Sequence, residues 1–285
     1  MATNAQTRGT HEVFIPEVWS NEMLLARRNK LVLAEHVTRH DRDVMKFGDV
    51  IHVPRVSEIT AKTTTPGSPL DFDATTEGEF TISITSFVYK AFLVPDMLKA
   101  QSKYDNRSIY VEQSTFAIAK QVDSDLFTLA TAHTGVTNAI GSTTNTSTRL
   151  AKTFFTAANR YLDIANAPDE DRYFSLEGYG YEQLLNIDDF VRYDALGRSK
   201  IENGRVGTLY GLNLLKTNQV PAKTTNVKNG IFFHKSGIAL AMQVKETVES
   251  QYDIDYLGWK TAAYNQYGHG IARTDHVGHI YYGIG

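Results

Sequence analysis

The stretch from Asn106 to Ala132 constrains the fold more than any other part of the chain. Its apolar residues Ile109, Phe116, Ala119, Val122, Leu126 and Leu129 are spaced by seven, three, three, four and three. That spacing draws one stripe down a helix. Glu112, Gln113, Lys120, Gln121, Asp123 and Ser124 mostly fill the opposite face. A helix over 106–132 would be about 40 Å long at the usual rise per residue, well beyond the common three turns. It reads as a structural beam along which the rest of the chain must pack. Upstream, Asp96 is a candidate cap for the segment DMLKAQSKYD.

Before the beam the pattern is β. Lys46–Phe47–Gly48–Asp49 is a turn, and Val50, Ile51 and Val53 begin a strand. Phe80, Ile82 and Ile84 alternate with Thr81, Ser83 and Thr85, as in a half-buried strand. Between them, from about Ser57 to Glu79, runs a Thr/Pro/Gly-rich stretch too long for a tight hairpin turn. Irregular stretches of this size inside a domain are usually functional or disordered. The simplest picture is a long two-stranded loop that protrudes and needs a surface to lie on, because two strands alone are marginal. The N-terminal residues are polar, and Pro16 interrupts any continuous helix through HEVFIPEVWS. Ser20 then caps a segment with Met23, Leu24, Arg27 and Leu31 at helical spacing. This predicts an extended arm feeding a short amphipathic helix.

After the beam, residues 133–150 read as a polar, flexible loop. AKTFFTAANRYLDIANAP reads as a helix ended by Pro168, and DRYFSLEG as a strand. YGYEQLLNIDDFVRYDALG reads as a helix to Gly197 with Leu184, Leu185 and Phe190 inward. NVKNGIFFHKSGIALAMQ reads as a strand, a turn and a short helix. Further strands carry Tyr252, Tyr256, Trp259, Tyr264 and Tyr267. The fold class is α+β.

Chemistry is sparse. With 29 basic and 32 acidic residues the net charge is −3, which gives no electrostatic footprint for nucleic acid. Cysteine is absent, which excludes disulfides, thiolate metal sites and a cysteine nucleophile and fits a reducing cytosol. No apolar run reaches the ~18 residues of a membrane span, and none in the first thirty residues has signal-peptide length. There is no nucleophile elbow and no Walker loop. Gly204, Gly207 and Gly211 do not match the dinucleotide fingerprint, and Lys216 lacks the following Ser or Thr of a phosphate loop; turn and bulge glycines are the plainer reading. His269, His276 and His279 with Asp275 form the best metal candidate. However, His276 and His279 stand three apart in a predicted strand, so their side chains face opposite ways. No metal or other cofactor is expected. Asp169, Glu170 and Asp171 read as a solvated turn, and Asp188 and Asp189 diverge on a helix. Arg27, Arg28 and Lys30 form the densest basic cluster, suited to salt bridges between subunits. Aromatics make up 11%, with 15 Tyr and 14 Phe, enough to furnish both core and contact surface.

The order of these elements resembles the major capsid proteins of tailed bacteriophages, with the Hong-Kong-97-type fold and closest to the P22-coat-like branch. The resemblance rests on the arm, the protruding loop and the beam, on GRVGTLYGLNLLKTNQVP at 204–221, on NGIFFHKSGIALAM at 229–242, and on YGHGIARTDHVGHIYY at 267–282. It implies an N-terminal arm over 1–45, an E-loop over 46–90 and a peripheral domain with a spine helix over 91–175. An axial domain over 176–258 and return strands over 259–285 complete it. It further implies a non-enzymatic subunit that self-assembles into pentamers and hexamers of an icosahedral shell around double-stranded DNA, in the virion after assembly in the host cytoplasm. Separate scaffolding, portal and decoration proteins are the implied partners, with no membrane. Arg27, Arg28, Lys62, Phe72 and Glu77 are the implied assembly contacts. Some members weld subunits through a Lys–Asn isopeptide bond; Lys62 is the only lysine well inside the loop, and no acceptor asparagine is assigned. Two alternatives stand beside this: an encapsulin-type compartment shell, and a cytosolic metal-dependent enzyme using His269 and His276.

Overall fold

The computed structural model describes residues 33–41, 48–56, 59–72, 74, 77–101, 106–187 and 207–284. The amphipathic arm helix, Arg27, Arg28, Lys30, Asp188, Asp189, Phe190 and Gly204 lie outside the described residues. In chain order the strands and helices are β1 (Thr38–Arg39), β2 (Val50–Val56), β3 (Glu77–Ser83), β4 (Ser86–Pro95), α1 (Asp96–Gln101), α2 (Asn106–Ala132) and β5 (Asn138–Gly141). Then follow α3 (Lys152–Ile164), β6 (Arg172–Leu176), α4 (Gly178–Leu185), β7 (Thr208–Leu209), β8 (Leu212–Lys216) and β9 (Val227–His234). The chain closes with β10 (Ile238–Asp253), β11 (Gly258–Ile271) and β12 (Val277–Gly283).

The beam α2 spans the residues its stripe predicts. Its buried line is not quite the expected one. Ser114, Ile118, Val122, Leu126 and Ala130 descend at four-residue steps, joined by Asp123 and Phe127, while Phe116, Ala119 and Leu129 are half-buried. Ser114 tolerates burial because its hydroxyl donates to the Tyr110 carbonyl at 2.7 Å. Asp123, assigned above to the wet face, is fully buried. Its carboxylate accepts the backbone N–H of Ala34 at 2.9 Å and of Leu33 at 3.4 Å, tying the entering chain to the beam. Asp123→Ala leaves those donors without their acceptor and is expected to cost about 2 kcal/mol. Urea unfolding checks this, and proteolysis should speed up around 33–41. Asp123→Asn keeps one acceptor oxygen and should cost less.

Two sheets pack against the beam. One has the order β1-β10-β11-β4, the other β5-β12-β9-β6-β8-β7, and β2 and β3 form a separate ribbon. The C-terminal half of α2 fills the junction between the sheets. There Val122, Leu126 and Phe127 meet Tyr173, Ile231 and Phe233 of one sheet and Ile238, Leu240 and Tyr267 of the other. The far face of the six-stranded sheet, with Phe174, Phe232, Ile280 and Tyr282, is covered by Phe154, Phe155, Ala158 and Leu162 of α3 and Leu184 of α4. Both faces of this sheet are therefore dry, which is why RYFSL, GIFFH and HIYY are buried at every position instead of alternating.

Two expectations are corrected. The polar segment 133–150 contributes β5, which pairs in parallel with β12. Residues 238–242, read as a short helix, begin the 16-residue strand β10. Alanine and leucine favour helix, but the alternation of large Ile238, Leu240 and Met242 with small Ala239 and Ala241 has a period of two, and it serves two different surfaces. The span 176–258 contributes β7–β9 to one sheet and β10 to the other, and the segment 259–285 contributes β11 and β12.

Candidate assembly surface

β2 and β3 pair antiparallel from Val50 opposite Ser83 to Val56 opposite Glu77, as their alternation predicts. Only the base of this ribbon is held by its own subunit. Along β11, Thr261, Ala263, Asn265 and Tyr267 are buried toward the beam, and the even positions face the other way. Tyr267 anchors the beam side through a short hydrogen bond donated to the Asp125 carboxylate; burial, then Asp125, raise its phenol well above its ordinary range.

On the other face two cross-strand pairs stand side by side, Ala239 opposite Gly270 and Ala241 opposite Gly268. Four small residues thus make a flat floor. Onto it Ile82 and Ile84 pack together with Ile51 and Phe80. The fit leaves no slack: a Cβ at Gly268 would stand 2.5 Å from the Ser83 carbonyl oxygen, and one at Gly270 would stand 2.8 Å from the Phe80 ring.

Beyond Val56 and Glu77 the loop leaves the body. Every described residue from 59 to 72 is exposed. Pro66–Gly67 form a turn with Gly67 at φ 93 and Ser68 N–H donating to the Thr65 carbonyl at 3.1 Å. Lys62 and Asp71 pair across it at 2.7 Å. The tip nevertheless presents Ile59 (72% exposed), Leu70 (67%) and Phe72 (89%) to solvent. Glu77 is exposed where the ribbon begins. Lys62, Phe72 and Glu77 therefore share this one loop.

A second exposed surface lies on the four-stranded sheet itself, past the floor. Phe87, Tyr89 and Tyr264 form a ring cluster with centroids 5.9 and 6.1 Å apart. Beside it is a groove of about 810 Å³ whose lining includes Ala91, Leu93, Ala262, Glu249 and Lys260. Phe87 and Tyr89 are mostly exposed. Composition pointed to aromatic contact surface, but only strand register shows which rings share this face.

The other candidate groups have local partners. His276 lies in a 3-10 turn, not in a strand, and its Nδ1 is 2.8 Å from the Ser236 hydroxyl. The His279 Nε2 is 3.2 Å from the Val136 carbonyl oxygen, and His269 lies beside Tyr267. Burial holds all three imidazoles below their ordinary range. Among the described residues no three metal-ligating side chains converge. Asp163 and Asp169, instead of standing free, pair with the buried Arg172 at 2.7 and 2.9 Å. Gly211 is a turn residue: with Tyr210 it makes the two-residue, positive-φ link between β7 and β8.

A long beam helix, two sheets at its sides and a protruding β-ribbon are the architecture of Hong-Kong-97-type shell subunits. Solved structures agree over the full length. The chain superposes on one from Mycobacterium phage Che8 with a TM-score of 0.79 and 23% identity, covering 94% of this chain and 97% of that one. The capsid structure of cyanophage P-SCSP1u gives 0.80 at 20% identity, covering 100% and 97%. The capsid asymmetric unit of cyanophage Pam1 gives 0.70 at 10%, covering 100% and 99%. Sequence comparison with curated proteins finds no match. A family model for phage capsid proteins matches residues 48–281, and the chain belongs to that family. It is a major capsid protein, a structural component of the virion that assembles with copies of itself into the shell. The compartment-shell alternative is not favoured.

Proposed function

We propose that copies of this chain close an icosahedral shell of pentamers and hexamers around double-stranded DNA by laying the tip of the β2–β3 loop on the Phe87–Tyr89–Tyr264 face of a neighbouring copy. The observation that carries this is the pairing of two incomplete surfaces on one chain. The tip exposes Ile59, Leu70 and Phe72, and the sheet face exposes rings beside an apolar groove rimmed by Glu249 and Lys260. Exposed apolar patches of this kind mark contact sites. The patch and its acceptor differ, so the contact is heterologous and can close rings. Lys62, Asp71 and Glu77 supply charges to meet the charged rim.

The beam and four-stranded sheet serve as the peripheral body, and the six-stranded sheet faces the ring centres. The near-balanced charge suits a container that must release its polyanion, since a strongly basic lining would make release slow and salt-dependent. A separate scaffolding protein, a portal and a decoration protein act with it, and assembly takes place in the host cytoplasm, where a cysteine-free chain meets no redox constraint. The role is structural, without a catalytic step.

Replacing residues 60–72 by a short Gly-Ser turn should leave a folded subunit that forms no closed shells by electron microscopy. Phe72→Asp, at an exposed position, should change subunit stability by less than about 0.5 kcal/mol yet cut shell yield roughly tenfold, as loss of an aromatic anchor does. Normal shells from the shortened loop would refute the loop's role.

A further inference from the structure

The edges of the two sheets are β1 and β4 in one, β5 and β7 in the other. An edge strand carries a row of unpaired N–H and C=O groups, and natural sheets keep such strands short, bulged or charged. β1 and β7 have 2 residues each and β5 has 4. β4 departs from this rule. It runs for 10 residues, SFVYKAFLVP, and pairs with β11 from Ser86 opposite Tyr267 to Pro95 opposite Gly258 without a bulge. Lys90 and the terminal Pro95 are the only protections along it, and Phe87, Tyr89 and Ala91 are exposed.

In an antiparallel pair every second residue exchanges both backbone bonds with its partner, and the residues between turn theirs outward. On the outer side of β4 those groups meet no strand among the described residues. Nor do residues 86–94 make a backbone hydrogen bond to any described residue outside the ladder with β11. The loop tip has the same deficit. Among the described residues no hydrogen bond holds Ile59, Thr60, Ala61, Thr63 or Thr64. None of these has a positive φ, so a strand conformation is open to all of them. The β-branched Ile59, Thr60, Thr63 and Thr64 favour it. Lys62 is already paired with Asp71 at 2.7 Å, so it brings no bare charge toward Lys90.

We infer that residues 59–65 of a neighbouring copy add to the outer edge of β4 as a further strand, so that backbone hydrogen bonds join two subunits in one sheet. This rests on the seat of the loop tip proposed above and specifies how the tip is held there. Main-chain bonds supply the attachment, and side chains at alternate positions supply the fit. With a period of two, Ile59, Ala61 and Thr63 share one face, the face that carries Phe87, Tyr89 and Ala91. The other occupant a second copy could offer is its own β4. That pairing is isologous, so it closes a dimer and not a ring, and it brings the two Lys90 side chains toward each other. The tip is a different surface from the edge it fills, as a ring-closing contact requires.

Hydrogen exchange resolved to single amides, on assembled shells and on the free subunit, reads this ladder directly. In the free subunit the amides over 87–94 should alternate between slow and fast, and in shells the fast set should slow by about tenfold or more. Proline gives a second reading, because only every second N–H of an added strand bonds to β4. One of Thr63→Pro and Thr64→Pro should cut shell yield roughly tenfold, and the other should assemble as the parent does. Thr63→Ala and Thr64→Ala should both assemble normally, because they keep the N–H. Both positions are exposed, so all four variants keep the subunit fold. Unslowed β4 amides in shells, or equal loss of shells with both prolines, would overturn the added strand. Slowed β4 amides in shells that tolerate both prolines would show another segment on the edge and overturn the assignment to 59–65. Phe72→Asp separates this from the reading beneath it. Normal shells from that variant would mean that the seat of the tip is wrong, whereas a reduced yield with unslowed β4 amides in parent shells would keep the seat and remove only the strand.

Discussion

Gly268→Val should give a subunit that folds and does not assemble. The Cβ of any residue at 268 would lie 2.5 Å from the Ser83 carbonyl oxygen, a backbone atom that no rotamer change can move. β3 must lift off the floor, taking Ile82 and Ile84 with it. The burial lost is local, because these two residues with Ala239 and Ala241 form their own small cluster, separate from the cores around the beam and under α3. Overpacking of this kind costs about 1–3 kcal/mol, which a chain of this size survives. The loop tip, however, is a long lever, and a shift of an ångström at its base displaces Phe72 by more. Closed shells should disappear while the unfolding transition remains cooperative. Gly270→Ala is the graded comparison. Its Cβ clashes with the far end of the Phe80 ring, which can swing aside, and stands at ordinary contact distance from the Thr81 carbonyl oxygen, so shells should form at reduced yield. Equal assembly by both variants and the parent would mean that the floor does not set the loop.

Arg172→Ala should be among the most damaging single substitutions to the subunit itself. The guanidinium is almost fully buried. Its Nε donates to the Pro168 carbonyl at 2.8 Å, and one terminal nitrogen donates to the Ala167 carbonyl at 2.8 Å. The ion pairs to Asp163 and Asp169 complete its shell. Together they hold the turn that feeds α3 into β6, in the middle of the six-stranded sheet. Truncation strands the buried Ala167 carbonyl, takes the donor from the Pro168 carbonyl and opens a cavity, for about 3 kcal/mol of lost stability in urea unfolding. Asp169→Ala removes only an exposed partner and should cost no more than about 0.5 kcal/mol. The contrast separates the buried cation from the acidic turn that first draws the eye.

The beam was legible because amphipathic periodicity over 27 residues has no competing reading, and the ribbon because Phe80, Ile82 and Ile84 alternate cleanly. Asp123 was not legible. A carboxylate on a helix reads as solvent-facing unless its partner is known, and here the donors are about ninety residues earlier in the chain. The strand start at 238–242 was hidden by helix-forming residues, although the large–small alternation was a usable sign. The floor lay beyond local reading altogether. Ala239, Ala241, Gly268 and Gly270 are unremarkable in sequence and become a surface only through the β10–β11 register. Of the expected assembly contacts, Lys62, Phe72 and Glu77 share one exposed loop because a polar, Pro/Gly-rich insertion has nothing of its own to pack against. The order of elements carried the class of the protein, since it belongs to the whole fold, and for the same reason carried no branch within it.

A side-chain-resolution reconstruction of the assembled shell by electron cryomicroscopy tests the central claim most directly. It should show residues 59–72 of each copy in contact with Phe87, Tyr89 and Tyr264 of its neighbour, with Phe72 buried there. A closed shell in which the tip stands free in solvent, or folds back on its own subunit, would contradict it.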